Sequence, residues 1–105
     1  MRLLTIIPMT KNQAARNAIS SVCDEIKVFL LHKNDAYGNS ALDPVRIFSK
    51  LDADEQLAIR LDDKLSRLMR GQAAGEDVEL DLLGYMILRQ AYKKYVEAIK
   101  DIPNS

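Results

Sequence analysis

The chain is poor in the residues that small proteins use for covalent or metal cross-links. It has one cysteine, Cys23, and one histidine, His32. A single thiol excludes an intrachain disulfide, and no second histidine or cysteine lies near His32 to complete a zinc site. Because Cys23 lies in an apolar helical pattern, we expect it to be an inert core thiol.

Net charge and glycine-rich segments are missing as well. The chain has 15 Lys and Arg residues and 15 Asp and Glu residues, so its formal net charge is zero. A neutral chain has no general attraction for nucleic acid or anionic lipid, so nonspecific binding to either is not expected. The 4 glycines form no phosphate-binding loop or nucleophile elbow. The apolar run in residues 1–8 is too short to span a membrane. We therefore expect a cytoplasmic protein with no membrane or nucleic-acid partner.

What the chain does contain is helical periodicity. Its 105 residues suggest a single all-α domain, in which apolar positions predict helices over residues 11–33, 54–70 and 76–100. Asp52 or Asp54 is expected to cap the second helix, and Gly71 to end it. Residues 1–10 are expected to form an arm, and residues 101–105 a tail. Turn-forming residues over 34–53 predict a long structured loop between the first two helices, with a short helical turn at Pro44 capped by Asp43.

The first and third helices carry more apolar surface than three helices can cover. The first half of the third helix is apolar nearly all round, with Leu80, Leu82, Leu83, Met86 and Ile87 beside its main stripe. A helix of this kind is normally buried. The sequence therefore predicts an oligomeric helical bundle, a homodimer or homotetramer assembled through the first and third helices.

Two carboxylates stand on the apolar stripe of the third helix, where carboxylates are costly unless paired or bound to metal. Asp77 and Asp81 are one turn apart on one face. With Asp62 of the second helix and Glu25 of the first, they could hold Mg²⁺, which prefers carboxylate oxygens. In the alternative interpretation, Asp77 is an exposed first-turn residue and Asp81 pairs with a lysine or arginine.

Basic and aromatic side chains could complete a ligand site around these acids. Lys33, Lys64 and Arg67 could contact phosphates, although the pattern favours a structural ion pair for each of them taken singly. Tyr37, close to Asp35, could stack on a base or cover the core.

These residues resemble a known family, the nucleotide-modification-associated domain found in many phages. The segments that carry the resemblance are Lys33…Asp35-x-Tyr37-Gly38, Arg60-Leu61-Asp62-Asp63-Lys64-Leu65-Ser66-Arg67-Leu68, and Asp77…Asp81-Leu82-Leu83-Gly84-Tyr85. That family is in turn similar to the all-α nucleoside triphosphate pyrophosphatases of the MazG-like and dimeric dUTPase group.

The resemblance implies a Mg²⁺-dependent nucleotide site built by two adjacent helices. Asp77, Asp81 and Asp62 would be the catalytic acids, with Asp63 as the alternative to Asp62 and Glu25 as a further metal ligand. Lys33, Asp35, Tyr37, Lys64 and Arg67 would bind the substrate. The implied function is that of a phage or prophage protein that binds a nucleotide and hydrolyses it to a monophosphate and pyrophosphate. The alternative is a non-catalytic helical oligomer that binds a protein partner.

Overall fold

The computed structural model describes residues 7–103, so most of the predicted arm and the last two residues of the predicted tail lie outside the described residues. Three helices follow one another along the chain: α1 (Lys11–Ala36), α2 (Ala53–Met69) and α3 (Val78–Ile99). No strand occurs between residues 7 and 103. The predicted all-α class is confirmed.

Reciprocal capping fixes the start of α1. Gln13 N donates to Thr10 Oγ1 over 3.1 Å, and Thr10 N donates to Gln13 Oε1 over 2.9 Å, which is the capping-box arrangement. The helix ends at Ala36, three residues beyond the predicted end. The two residues after Tyr37, Gly38 and Asn39, have φ of +61° and +65°, and a left-handed backbone cannot continue a right-handed helix.

The ends of α2 were predicted to within one residue. The Asp52 side chain accepts from Glu55 N over 2.9 Å, as the predicted N-cap should. Beyond the last turn, Gly71 has φ +69°, and Gln72 N donates to Arg67 O over 2.8 Å. This left-handed glycine stops the helix where the sequence indicated.

The start of α3 differs from its prediction by two residues, and the difference changes the position of Asp77. The helix begins at Val78, and Asp77 is its N-cap, with its side chain accepting from Leu80 N over 3.0 Å. An N-cap residue precedes the helix and uses its carboxylate on the first turn. Asp77 therefore does not lie on the helical stripe to which periodicity assigned it.

The loop between α1 and α2 contains no helical turn at Pro44, so that prediction is wrong. Asp43 N donates to Asn39 O over 2.8 Å, which makes Asp43 the end of the preceding turn and not the start of a new one. Further on, Lys50 Nζ donates to the carbonyls of Arg46 and Ile47. Polar contacts shape this loop, and the apolar side chains of Val45, Ile47 and Phe48 are exposed, Phe48 at 100%.

The described chain divides into two units, one ending at His32 and the other beginning at Lys33. In the second unit, α2 packs against α3. The buried residues on this interface are Ala53, Leu57, Leu61, Val78 and Gly84.

The first unit contains most of α1, and no residue of α1 is buried. Cys23 is exposed, so the prediction of a core thiol is wrong. Its apolar neighbours Ile19 and Val22 on the same helix are exposed as well, at 65% and 51%. Within residues 7–103, no helix is long and apolar enough to cross a membrane.

Leu57 is the most enclosed large side chain of the described residues, at 2% exposure. Replacing it with alanine should lower the free energy of unfolding by about 2–4 kcal/mol, because the cavity adds to the lost apolar transfer energy. Urea denaturation followed by helical circular dichroism measures the effect. The control is Ile59→Ala on the exposed side of the same helix, which should change stability by less than about 1 kcal/mol. Equal losses would contradict the assigned core.

Candidate functional site

The polar cluster between α2 and α3 centres on the ammonium group of Lys64. Lys64 Nζ lies 3.0 Å from Asp81 Oδ2 and 3.2 Å from Glu76 Oε2. Its side chain is 14% exposed, compared with 35% for Asp81. A lysine on α2 therefore joins the first turn of α3 to the connection that precedes that helix.

Arg67, one turn after Lys64, extends the cluster. One terminal nitrogen of its guanidinium contacts the carboxylate of Glu76, and the other lies 3.2 Å from Asp63 Oδ2. Its Nε is buried without a hydrogen-bond partner. We name Lys64, Arg67, Asp63, Glu76 and Asp81 the Lys64 cluster. Two cations and three carboxylates leave it with a formal charge of −1, so its charges are nearly balanced internally.

The electrostatics of the cluster stabilise the charged lysine. The hydrogen bond to Asp81 is the largest influence that raises the pKa of Lys64; partial desolvation opposes it, and the bond to Glu76 adds to it. Lys64 thus stays protonated at neutral pH and supplies the positive charge that the two carboxylates need.

The structure brings together three of the predicted site residues, Asp81, Lys64 and Arg67. Of the two alternatives for the acids, the ion-pair interpretation describes what is observed, because Asp81 pairs with Lys64 and Asp77 is an exposed N-cap. Asp62 is exposed on α2, away from the buried side of that helix. These carboxylates do not converge on one point.

The remaining predicted residues lie on or just after α1. Lys33 Nζ stands 5.7 Å from the centre of the Tyr37 ring, and both Tyr37 and Asp35 are exposed. Tyr37, at 63% exposure, does not cover the core. Glu25 lies in the first unit, and the other predicted acids lie in the second.

The fit of these residues to Mg²⁺ can be tested on their contacts. A magnesium site needs carboxylate oxygens that face a common point and are available to the ion. Between residues 7 and 103, no three Asp, Glu, His or Cys side chains group in a way that could hold a metal ion. Asp81 accepts from Lys64 and Asp77 accepts from the backbone of Leu80. The described side chains do not fit the Mg²⁺ that the resemblance implies.

Sequence reasoning missed Glu76 as a member of the cluster. Glu76 reaches Lys64 and Arg67 because the connection after Gly71 turns back on α2, and Gly75, immediately before it, has φ +80°. The available signal was the position of Glu76, an acid that follows Gly71 and Gly75 and directly precedes the third helix.

A second interhelical ion pair was also missed. Arg89 of α3 donates through Nε to Asp54 Oδ1 over 2.8 Å and through a terminal nitrogen to Asp54 Oδ2 over 3.3 Å. The hydrogen bond from Arg89 lowers the pKa of Asp54, and the attraction of the guanidinium charge adds to this effect, whereas desolvation opposes it. The two-bond geometry aligns the start of α2 with the middle of α3.

Comparison with known proteins gives a partial likeness. The chain is 31% identical over 91 residues to the gamma-glutamyl phosphate reductases of Streptococcus pneumoniae strains ATCC 700669 / Spain 23F-1 and JJA. The match covers 84% of this chain but 22% of each reductase, so the chain spans about a fifth of the length of these curated relatives. No family model and no solved structure matches the chain.

Replacing Lys64 with methionine should destabilise the α2–α3 unit, because it leaves Asp81 and Glu76 without their shared cation. The matched control is Lys100→Met, whose partner Glu97 forms an exposed pair three residues away and should contribute little. Urea midpoints compare the two variants. Since folding raises the pKa of Lys64, the advantage of the wild type should be full below roughly pH 10 and shrink above it. Equal midpoints for both variants would contradict this role.

The Asp54–Arg89 pair should make stability depend on acidity. The lowered pKa of Asp54 means that its contribution is present above roughly pH 4 and is lost as pH falls through the folded-state value. Asp54→Asn should therefore be less stable than the wild type at pH 7, and the gap should close between about pH 4 and pH 2. Asp24→Asn, at an exposed pair within α1, is the control. A gap that persists at pH 2 would refute this assignment.

Proposed function

We propose that this chain is a non-catalytic helical protein that works by assembly, as a homodimer or homotetramer that binds a protein partner. The observation that carries the proposal is α1, a helix of 26 residues without a single buried residue. Isolated helices are marginal in water, and most helical stability in proteins comes from packing of an apolar face. A helix this long, with an apolar stripe, is typical of a surface that another chain covers.

The exposed side chains of α1 are large enough to support assembly. Ile19 is 65% exposed, Val22 51% and Leu31 58%. Full burial of such a side chain contributes about 1.5–3 kcal/mol relative to leaving it in water. Several of them together would exceed the usual cost of ordering the groups at an interface.

The α2–α3 unit offers a second apolar surface. Leu83, Met86 and Ile87 of α3 are exposed, at 41%, 52% and 38%. They lie on the helix side opposite to the residues that meet α2, which supports the sequence-based prediction that α3 takes part in assembly. Two separate surfaces are what a tetramer, or an oligomer with an additional partner, requires.

The Lys64 cluster supports the non-catalytic part of the proposal. Its carboxylates accept from Lys64 and Arg67, so the acids that a metal-dependent hydrolase would use are already neutralised. These partly buried ion pairs link α2 to Glu76 before α3 and to Asp81 in its first turn. We assign the cluster a structural role in joining α2 to α3.

Nucleotide binding with Mg²⁺, and hydrolysis to monophosphate and pyrophosphate, is the second candidate function. One observation favours it: Lys64 and Arg67, two predicted phosphate ligands, lie side by side on α2 next to Asp81. A phosphate chain or a cation would have to displace the existing ion pairs. A phage or prophage origin belongs to this proposal and rests on the resemblance alone.

We propose no reductase activity, because the likeness covers about a fifth of those enzymes.

Two measurements on the full chain separate the candidates. Sedimentation velocity should show a dimer or larger species whose fraction rises with protein concentration. Thermal melting with Mg²⁺ and each common ribo- and deoxynucleotide should show no shift, since a ligand that binds only the folded state raises the melting temperature. A monomer at all concentrations would contradict assembly. A shift with one nucleotide that Lys64→Met abolishes and Lys100→Met retains would favour the second candidate.

A further inference from the structure

The apolar residues of α1 follow a stricter pattern than a general amphipathic helix. Their spacing alternates between four and three residues, at Ala15, Ile19, Val22, Ile26 and Phe29, and the same register continues to Lys33 and Ala36. A repeat of 3.5 residues is the seam of a coiled coil, in which the helix packs against another helix along a single line. The seam lies on one continuous helix, and none of its residues is buried.

The positions beside the seam decide how two copies could pair. On one side of the seam lie Lys11, Ala18, Glu25 and His32, and on the other side lie Arg16, Cys23 and Leu30. In a parallel pair each side faces the opposite side of the second helix, whereas in an antiparallel pair each side faces its own equivalent. Glu25 is the only acid among these positions. The residue that faces Glu25 in the second copy therefore distinguishes the possible pairings of the two helices.

A parallel pair in register places like charges together. Lys33 would face Lys33 of the second copy on the seam, and Lys11 would face Arg16 of the second copy beside it. Glu25 would face Leu30 and gain no opposite charge. Like charges that meet directly at a helix pair are unfavourable, so the charges of α1 disfavour the parallel arrangement.

Three antiparallel registers bring the apolar residues of two copies together. With Ile19 opposite Val22 of the second copy, Glu25 faces Ala18. With Ile19 opposite Phe29, Glu25 faces Glu25. With Ile26 opposite Phe29, Glu25 faces His32 of the second copy and comes close to its Lys33. The two-fold symmetry of such a pair forms this contact twice.

We infer that α1 pairs with α1 of a second copy in this last register, antiparallel and with Ile26 opposite Phe29. The overlap then spans residues 19–36, and it places the largest seam side chains at the centre. The polar residues Lys11, Asn12 and Arg16 fall outside the overlap, where they stay in water. The inference specifies the assembly stated under the proposed function and rests on it.

Charge reversal on the full chain tests the pairing. Glu25→Lys should weaken dimerisation by about tenfold or more, because it places cations against His32 and Lys33 of the second copy. His32→Glu should weaken it in the same way by placing two acids together. The double variant, Glu25→Lys with His32→Glu, places a lysine opposite a glutamate and should recover the wild-type dissociation constant to within about threefold. Sedimentation velocity gives the constants, and helical circular dichroism confirms that each variant folds.

Asp24→Lys is the matched control, since it makes the same charge change one residue away on the outer side of the helix. It should leave the dissociation constant unchanged. If Glu25→Lys and Asp24→Lys have equal effects, or if the double variant is as weak as its two single changes combined, the pairing is wrong although assembly stands. If the wild-type chain does not self-associate, both the pairing and the assembly fail.

Discussion

The α2–α3 unit depends on one interaction, in which the ammonium group of Lys64 is shared by the carboxylates of Glu76 and Asp81. Lys64 Nζ lies within 3.2 Å of both Glu76 and Asp81. One of these acids precedes α3 and the other lies in its first turn, so a single ammonium group fixes where the third helix starts relative to the second. Leu57, Leu61 and Val78 are buried in that arrangement. A desolvated charge is costly alone, and two carboxylates offset that cost.

This constraint also shapes what the protein can do. The carboxylates of Glu76 and Asp81 pair with Lys64 and Arg67, and these ion pairs join α2 to the start of α3. Apolar side chains of α1 and α3 are exposed in the described part of the chain, Ile19 at 65% and Met86 at 52% among them. The proposed assembly would cover these side chains.

Sequence periodicity predicted the three helices well, and local signals at Asp52 and Gly71 located the ends of α2. It was weaker where two local signals compete. Asp77 fits a helical stripe by spacing, but it also suits an N-cap, and the N-cap prevails because the first-turn amides lack other partners. At Asp43 the expected cap was lost because Asn39 adopts a left-handed backbone and captures the Asp43 amide.

The candidate site could be predicted only in part for a similar reason. Helical spacing relates residues within one element, so it found Asp81 on α3 and Lys64 beside the stripe of α2. The contact of Lys64 with Glu76 depends on how the chain turns at Gly71 and Gly75, and periodicity carries no information about that turn. Spacing likewise identifies the stripe of α1, but it carries no information about what the proposed assembly places against that stripe.

The central proposal is that a second copy of the chain covers α1. The most direct test is hydrogen exchange of the α1 amides at increasing protein concentration. Amides of residues 19–36 should exchange more slowly as concentration rises, because pairing restricts the opening of the helix. Amides of α2 around Leu57 should change far less, since their protection arises within one chain. Protection of α1 that is the same at every concentration would contradict the account.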